Sequence, residues 1–232
     1  AAHASSGDTD EDTDVTDAGP PSGLELYLPA HLRALELTAL HSEMRNVAIL
    51  FVSLPELQAE SLRHEGVDAA RANRVFEVLL ATMHRFGGDI RDFLFEDKGA
   101  TFICSFGMQR RTEQDALRAV VCAFDLSTAL DGVGVPSHRI GATIGRAFSG
   151  CCGHPDRRDV VMMGPEGNMA ARLMGKATAK ARILTSEAVW ERTKESVLYD
   201  MTQKIKLKGR DGPSRAFVPI RMRDSGDAGS SG

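Results

Sequence analysis

An α+β fold, a βαββαβ core with further elements added at the C-terminus, is predicted by the order of hydrophobic patterns along the chain. Three observations carry it. A continuous apolar run at 47–52 has the length of a central strand, two later stretches repeat apolar residues at helical spacing, and a pair of short apolar stretches between those helices brackets a polar turn.

Each element follows from its residues. Val47-Ala48-Ile49-Leu50-Phe51-Val52 is uninterrupted, as a strand covered on both faces should be. Val75, Leu79 and Met83 then recur every fourth residue with Phe76 and Leu80 beside them, a helix that Gly87-Gly88 stops. Ile90 to Phe95 and Ala100 to Phe106 flank Glu96-Asp97-Lys98-Gly99 and read as a hairpin. Leu117, Val120, Val121 and Phe124 mark a second amphipathic helix that ends before Gly132-Val133-Gly134. Ile140, Ala142 and Ile144 alternate as a half-buried strand, and Val160 to Met163 form another, across a loop carrying Arg157 and Arg158. Strand, helix, hairpin, helix, strand is the split βαβ, ferredoxin-like order.

Composition bounds the rest. The 232 residues suffice for one sizeable domain with tails. Six of the 32 acidic residues, Asp8, Asp10, Glu11, Asp12, Asp14 and Asp17, lie within residues 1–23, and no Lys or Arg precedes Arg33; without those six the formal charge of −4 becomes +2. A near-neutral domain with no basic stripe argues against nucleic acid as a partner. No apolar run is long enough for a membrane span and no signal peptide is evident, so a cytoplasmic location is expected. The four cysteines, including the adjacent Cys151 and Cys152, have neither metal-ligand spacing nor a disulfide framework, and the seven histidines are scattered. Residues 1–23 are expected to be an acidic disordered arm, 24–40 a leucine-rich lead-in, 41–222 the folded domain and 223–232 a flexible tail. The acidic arm and the lack of an initiator methionine suggest a piece of a longer protein, cut after a linker.

Chemistry concentrates in Gly164-Pro165-Glu166-Gly167-Asn168-Met169-Ala170-Ala171-Arg172-Leu173. Gly-Pro suits the start of a helix, and residues four apart are helical neighbours, so Asn168 and Arg172 can converge on one ligand. A phosphate or a ribose is the natural guest for an amide beside a guanidinium.

With this segment, the element order and Gly145-Arg146-Ala147-Phe148-Ser149-Gly150-Cys151-Cys152-Gly153, the chain resembles class III nucleotidyl cyclases. Phe51-Val52, Asp97-Lys98-Gly99, Cys104-Ser105-Phe106-Gly107, Gly153-His154 and Asn168 to Met174 look like stretches of the second, C2-type half of soluble adenylyl cyclases. The likeness runs over roughly residues 28–220; one glycine pattern would be weak, but so many in order are specific. It implies two homologous halves packed head to tail around a shared groove. One half supplies two aspartates for a pair of Mg²⁺ ions, and the other supplies base-reading side chains, an asparagine for the ribose and an arginine for the transition state. By that resemblance Asn168 and Arg172 match the ribose-orienting and transition-state positions, and Lys208 a lysine that contacts the triphosphate. With Lys204 and Lys206 beside it, Lys208 reads equally as part of a solvated strand face.

The same resemblance exposes departures. Where an active half carries its first metal-binding aspartate, Phe51-Val52-Ser53-Leu54 has a serine, a poor ligand for Mg²⁺. At the hairpin, Glu96 and Asp97 are weak candidates for the second, so no metal site is assigned to this chain. For base reading, Ile90-Arg91-Asp92-Phe93 has no lysine, and Val161 stands at the substrate-binding position where an Asp or Thr is expected; either the backbone and Arg91 or Asp92 read the base differently, or base selection has relaxed because the pocket no longer turns over. Two functions stay open. One is the C2-like half of an adenylyl cyclase, a lyase with ATP as substrate and Mg²⁺ bound through a C1-like partner in the same or another chain, or in a homodimer, and inactive alone. The other is a catalytically degenerate cyclase-homology module that senses a nucleotide or anion or supports assembly.

Overall fold

The structure, a computed structural model, describes residues 43–57, 69–96, 99–108, 111–154, 157–206 and 213–224. The expected arm 1–23, the lead-in 24–40 and residues 225–232 of the expected tail lie outside the described residues. Its first strand, β1 (Glu43–Leu54), contains the predicted apolar run and organises the sheet. It pairs antiparallel with β3 (Gly99–Phe106) on one side and with β4 (Arg139–His154) on the other. β2 (Asp89–Glu96) pairs antiparallel with β3 as the predicted hairpin. The order β2-β3-β1-β4 is that of the predicted split plan, and it continues through β6 (Ile183–Ser186) and β8 (Pro213–Met222) to β7 (Val197–Lys206). β6 joins β4 in parallel, and β5 (Arg157–Met163) pairs with β4 as a long antiparallel hairpin.

Alternation along β1 sorts its residues onto two faces. Ala48, Leu50, Val52 and Leu54 enter the large core, which Phe102, Cys104 and Phe106 of β3 continue. That face is covered by α1 (Ala69–Arg85) and α2 (Asp115–Gly132), with Val189 of the short α4 (Glu187–Thr193) in the same core. Val75, Leu79 and Met83, the predicted stripe of α1, are fully buried, each burial worth about 1.5–3 kcal/mol over exposure. The predicted stop is a Schellman arrangement: the Gly88 N–H donates to Met83 O at 2.8 Å and the Gly87 N–H to His84 O at 3.0 Å, with Gly87 at φ +63°. Arg118 of α2 locks this corner by donating to Phe86 O at 2.8 Å, Gly87 O at 2.9 Å and Asp115 Oδ1 at 2.8 Å.

Two expectations change. Arg157 and Arg158, expected on a loop, lie within β5, opposite His154 and Gly153. The strand expected at Ile140 to Ile144 runs on to His154 through the glycine-rich stretch. Residues of low strand propensity are held there by ladder pairing with β1 and β5, a tertiary effect that propensity does not carry.

Candidate functional site

The opposite face of the sheet carries α3 (Pro165–Lys176), which packs on β1, β4 and β6. Gly164 caps the helix in an extended conformation and Pro165 takes its first position, where a missing N–H costs nothing. Close approach is possible because Gly141 has no side chain: a Cβ there would collide with the Ala170 carbonyl oxygen and the Met174 nitrogen. Ala170 and Leu173 are buried beneath the helix, Ala170 among Val47, Ile49 and Ala147. Met162 of β5 and Ile103 of β3 pack partly against that small core, so β5 lies over this face too. Asn168 and Arg172 stand on the outer side of α3, both exposed, and neither has a hydrogen-bond or ion-pair partner among the described residues.

A bulge between Ile90 and Asp92 interrupts β2 and brings Arg91 into play. The Arg91 Nη2 donates to Val160 O on β5 at 2.5 Å, joining the edge strand to the β4–β5 hairpin. Burial lowers the pKa of this guanidinium from its ordinary value, and the carboxylates of Asp92 and Asp89 partly offset that. Asp92 is exposed opposite Ile103, and Val161 is half-buried opposite Gly150. Since neighbours on a strand alternate, Val161 faces away from the side on which Met162 packs. The structure thus brings Arg91 to the backbone beside Val161.

Ser53 is half-buried near the end of β1, with Thr101 and Arg139 as its ladder partners. One hydroxyl between a second hydroxyl residue and a guanidinium does not fit Mg²⁺, which wants several anionic oxygens. Among the described residues no group of three His, Cys, Asp or Glu could hold a metal; the Glu96 side chain, Asp97 and Lys208 lie outside them. Glu166 was not singled out by the sequence, although an acid in the first turn of a helix was a visible signal; it accepts a hydrogen bond from Thr143 Oγ1 at 2.8 Å.

Comparison with known proteins agrees with this architecture. The family described as the adenylate and guanylate cyclase catalytic domain matches residues 40–218. Human adenylate cyclase type 10 is 30% identical over 135 residues, 57% of this chain, and the mouse protein 31% identical over 137 residues. The aligned part is 8% of each relative's length. Among solved structures, the guanylyl cyclase Cya2 superposes with a TM-score of 0.67 at 22% identity, covering 80% of this chain and 97% of that one. The adenylyl cyclase CyaB from P. aeruginosa gives 0.66 at 20% identity, covering 79% and 98%. No helix among the described residues is long and apolar enough to cross a membrane. The chain belongs to the adenylate and guanylate cyclase catalytic domain family.

Proposed function

We propose that this domain is the C2-like half of a class III adenylyl cyclase and forms cyclic AMP and pyrophosphate from ATP only when a C1-like domain completes the groove. The observation that carries the proposal is the exposed pair Asn168 and Arg172 on α3, which no protein group engages among the described residues. An exposed arginine and asparagine are common on helices, but a partnerless pair one turn apart on a cyclase scaffold is suited to a ribose and a phosphoryl group. In the reaction the 3′-oxygen of ATP attacks the α-phosphorus, the bond to the pyrophosphate oxygen breaks, and the 3′-hydroxyl proton is lost. Asn168 would orient the ribose so that this oxygen lies in line, and Arg172 would meet the charge that builds on the α-phosphoryl oxygens. Lys208 would hold the triphosphate as a point charge.

The metal ions belong to the partner in this proposal, because Ser53 cannot replace a carboxylate. Mg²⁺ supplies activation of the 3′-oxygen and neutralises the triphosphate. With a C1-like chain or a second copy as partner, the domain would work in the cytoplasm, where ATP is available. The base-reading role falls to Arg91 and Asp92, since Val161 offers no side-chain hydrogen bond.

Mixing this chain with a C1-type cyclase domain and Mg-ATP tests the proposal. Cyclic AMP from the mixture, none from either part alone, and loss of product with Arg172→Ala are expected. Activity of the chain alone would overturn the assignment of the metals to a partner. A second function is favoured by Ser53 and Val161: a degenerate module that binds nucleotide without turning it over. Binding of an ATP analogue, with no product from any partner, would select it.

A further inference from the structure

Asn168 and Arg172 can act together only if the first turns of α3 are held in place on the sheet, and Glu166, which belongs to the segment that suggested the site but was given no role there, lies between that helix and the sheet. Glu166 lies in the first turn, and its side chain rests against Gly145 of β4, where an added Cβ would stand 2.6 Å from the carboxyl carbon. Its Oε2 accepts from Thr143 Oγ1 at 2.8 Å, and Thr143 is 1% exposed. Thr143 Oγ1 is also 3.2 Å from Ser186 Oγ, and Ser186 caps α4 by accepting from the Val189 N–H at 3.4 Å. A threonine hydroxyl has one proton and a carboxylate has none to give, so the Thr143 proton goes to Glu166 and Ser186 donates across the second contact. Three hydrogen bonds therefore run in one direction, from the first turn of α4 through the buried centre of β4 to the first turn of α3. A charged acceptor at the end of such a chain strengthens its last bond, and a carboxylate at a helix N-terminus is favourable in itself.

We propose that Glu166 is a positioning residue: its hydrogen bond to Thr143 pins the first turn of α3 onto β4 and so sets where Asn168 and Arg172 stand. No other described side chain makes a hydrogen bond that ties α3 to the sheet; its remaining contacts there are the packing of Met169, Ala170 and Leu173 and the close approach of its backbone to Gly141. Apolar packing resists lifting of the helix but is weakly directional, so rotation and slide along the sheet are left to this bond. The kinetic consequence rests on the function proposed above; the structural one does not.

The test compares Glu166→Ala, Glu166→Gln and Thr143→Val in the full chain. Thr143→Val keeps a β-branched side chain in the strand and removes the hydroxyl, and with it both the bond to Glu166 and the one from Ser186. Hydrogen exchange of the Asn168 to Ala171 amides, the first that the helix itself can bond, is expected to quicken about tenfold in Glu166→Ala and Thr143→Val as the first turn frays, while the amides of α1 keep their protection. With a C1-type partner and Mg-ATP, kcat is expected to fall about tenfold with KM changed less than about threefold, since a displaced arginine harms the transition state more than ground-state binding. Glu166→Gln, whose amide oxygen can still accept from Thr143, should recover most of both. Unchanged exchange in α3 would overturn the proposal, whatever the variants did to the rate. So would a fall in kcat for Glu166→Ala that Thr143→Val did not share, because Glu166 would then act directly. If the unaltered chain makes no cyclic AMP with any partner, the proposed function fails, and the exchange comparison alone decides the role of Glu166.

Discussion

The two faces of the sheet are built to different standards. On the face beneath α1 and α2, Phe102, Leu50 and Leu79 are fully enclosed, and the polar groups at the corner, Asp115 and Arg118, satisfy each other and the backbone. On the face beneath α3, Val47, Ile49, Ala147 and Ala170 make only a small core, and above it Asn168 and Arg172 are exposed, with no hydrogen-bond or ion-pair partner among the described residues. An exposed polar group without a partner adds little to folding, so the first face carries the stability, and on the function proposed above the second is the one that meets a ligand. That contrast predicts that substitutions on the two faces will register in different measurements.

The largest effect belongs to the enclosed face. Phe102 is buried between Phe93, stacked with ring centroids 4.0 Å apart, and Phe76, at 5.9 Å. Phe102→Ala is expected to cost about 3–5 kcal/mol in urea unfolding, because the hole cannot close within a packed core. A loss below about 1 kcal/mol would show this face to be looser than its burial implies. Arg172→Ala should behave in the opposite way. Cyclic AMP formation with a C1-type partner is expected to drop by about 10²–10³, while unfolding shifts by less than about 0.5 kcal/mol. Comparable damage to stability would mean that Arg172 is part of the scaffold and would erase the contrast between the faces.

The same contrast explains what was legible in the sequence. The enclosed face was readable because burial imposes a period: the run at 47–52, the fourfold spacing of Val75, Leu79 and Met83, and Gly87-Gly88 at the helix end each carry their structural reason locally. Asn168 and Arg172 were legible because both lie on one helix, where spacing fixes direction. What failed to show was everything made by distant partners. Arg157 and Arg158 belong to β5 only through pairing with the end of β4, and the Arg91 bond to Val160 depends on a bulge that no local pattern marks. Thr143, Glu166 and Ser186 are common polar residues far apart in the chain, and only the fold makes them one chain of hydrogen bonds.

Cysteine chemistry sharpens the comparison at a smaller scale. Cys104 and Cys122 lie in the enclosed core, where burial raises both thiol pKa values, that of Cys122 from 9.0 to about 12; Cys152, on β4, is exposed. Above the ordinary value near 9 the unfolded chain gives up these protons and the folded chain keeps them, so fewer protons are bound in the unfolded state and stability falls as pH rises. Each buried thiol is expected to remove up to about 1.4 kcal/mol per pH unit between about pH 9 and its folded value, an alkaline decline that Cys122→Ala should lessen. Thiol labelling of the native protein at neutral pH should modify Cys152 and spare Cys104 and Cys122. Labelling of Cys122 at the rate of Cys152 would show the core opening far more readily than the packing allows.

Ser186 offers the finest test, because it belongs to both faces. Its hydroxyl oxygen caps α4, whose Val189 is in the large core, and its proton supports Thr143 and through it Glu166 on α3. Ser186→Ala is expected to cost about 1 kcal/mol, the usual value of an N-cap. If the faces are energetically separate, the loss appears only in unfolding, and cyclase turnover per folded complex is unchanged. If the hydrogen-bond chain couples them, kcat falls as well, by less than in Thr143→Val because the bond between Thr143 and Glu166 survives. Combining Ser186→Ala with Glu166→Ala then decides between the two. Additive losses mean two independent uses of one residue, whereas a double variant no slower than Glu166→Ala alone means that Ser186 reaches the site only through Glu166.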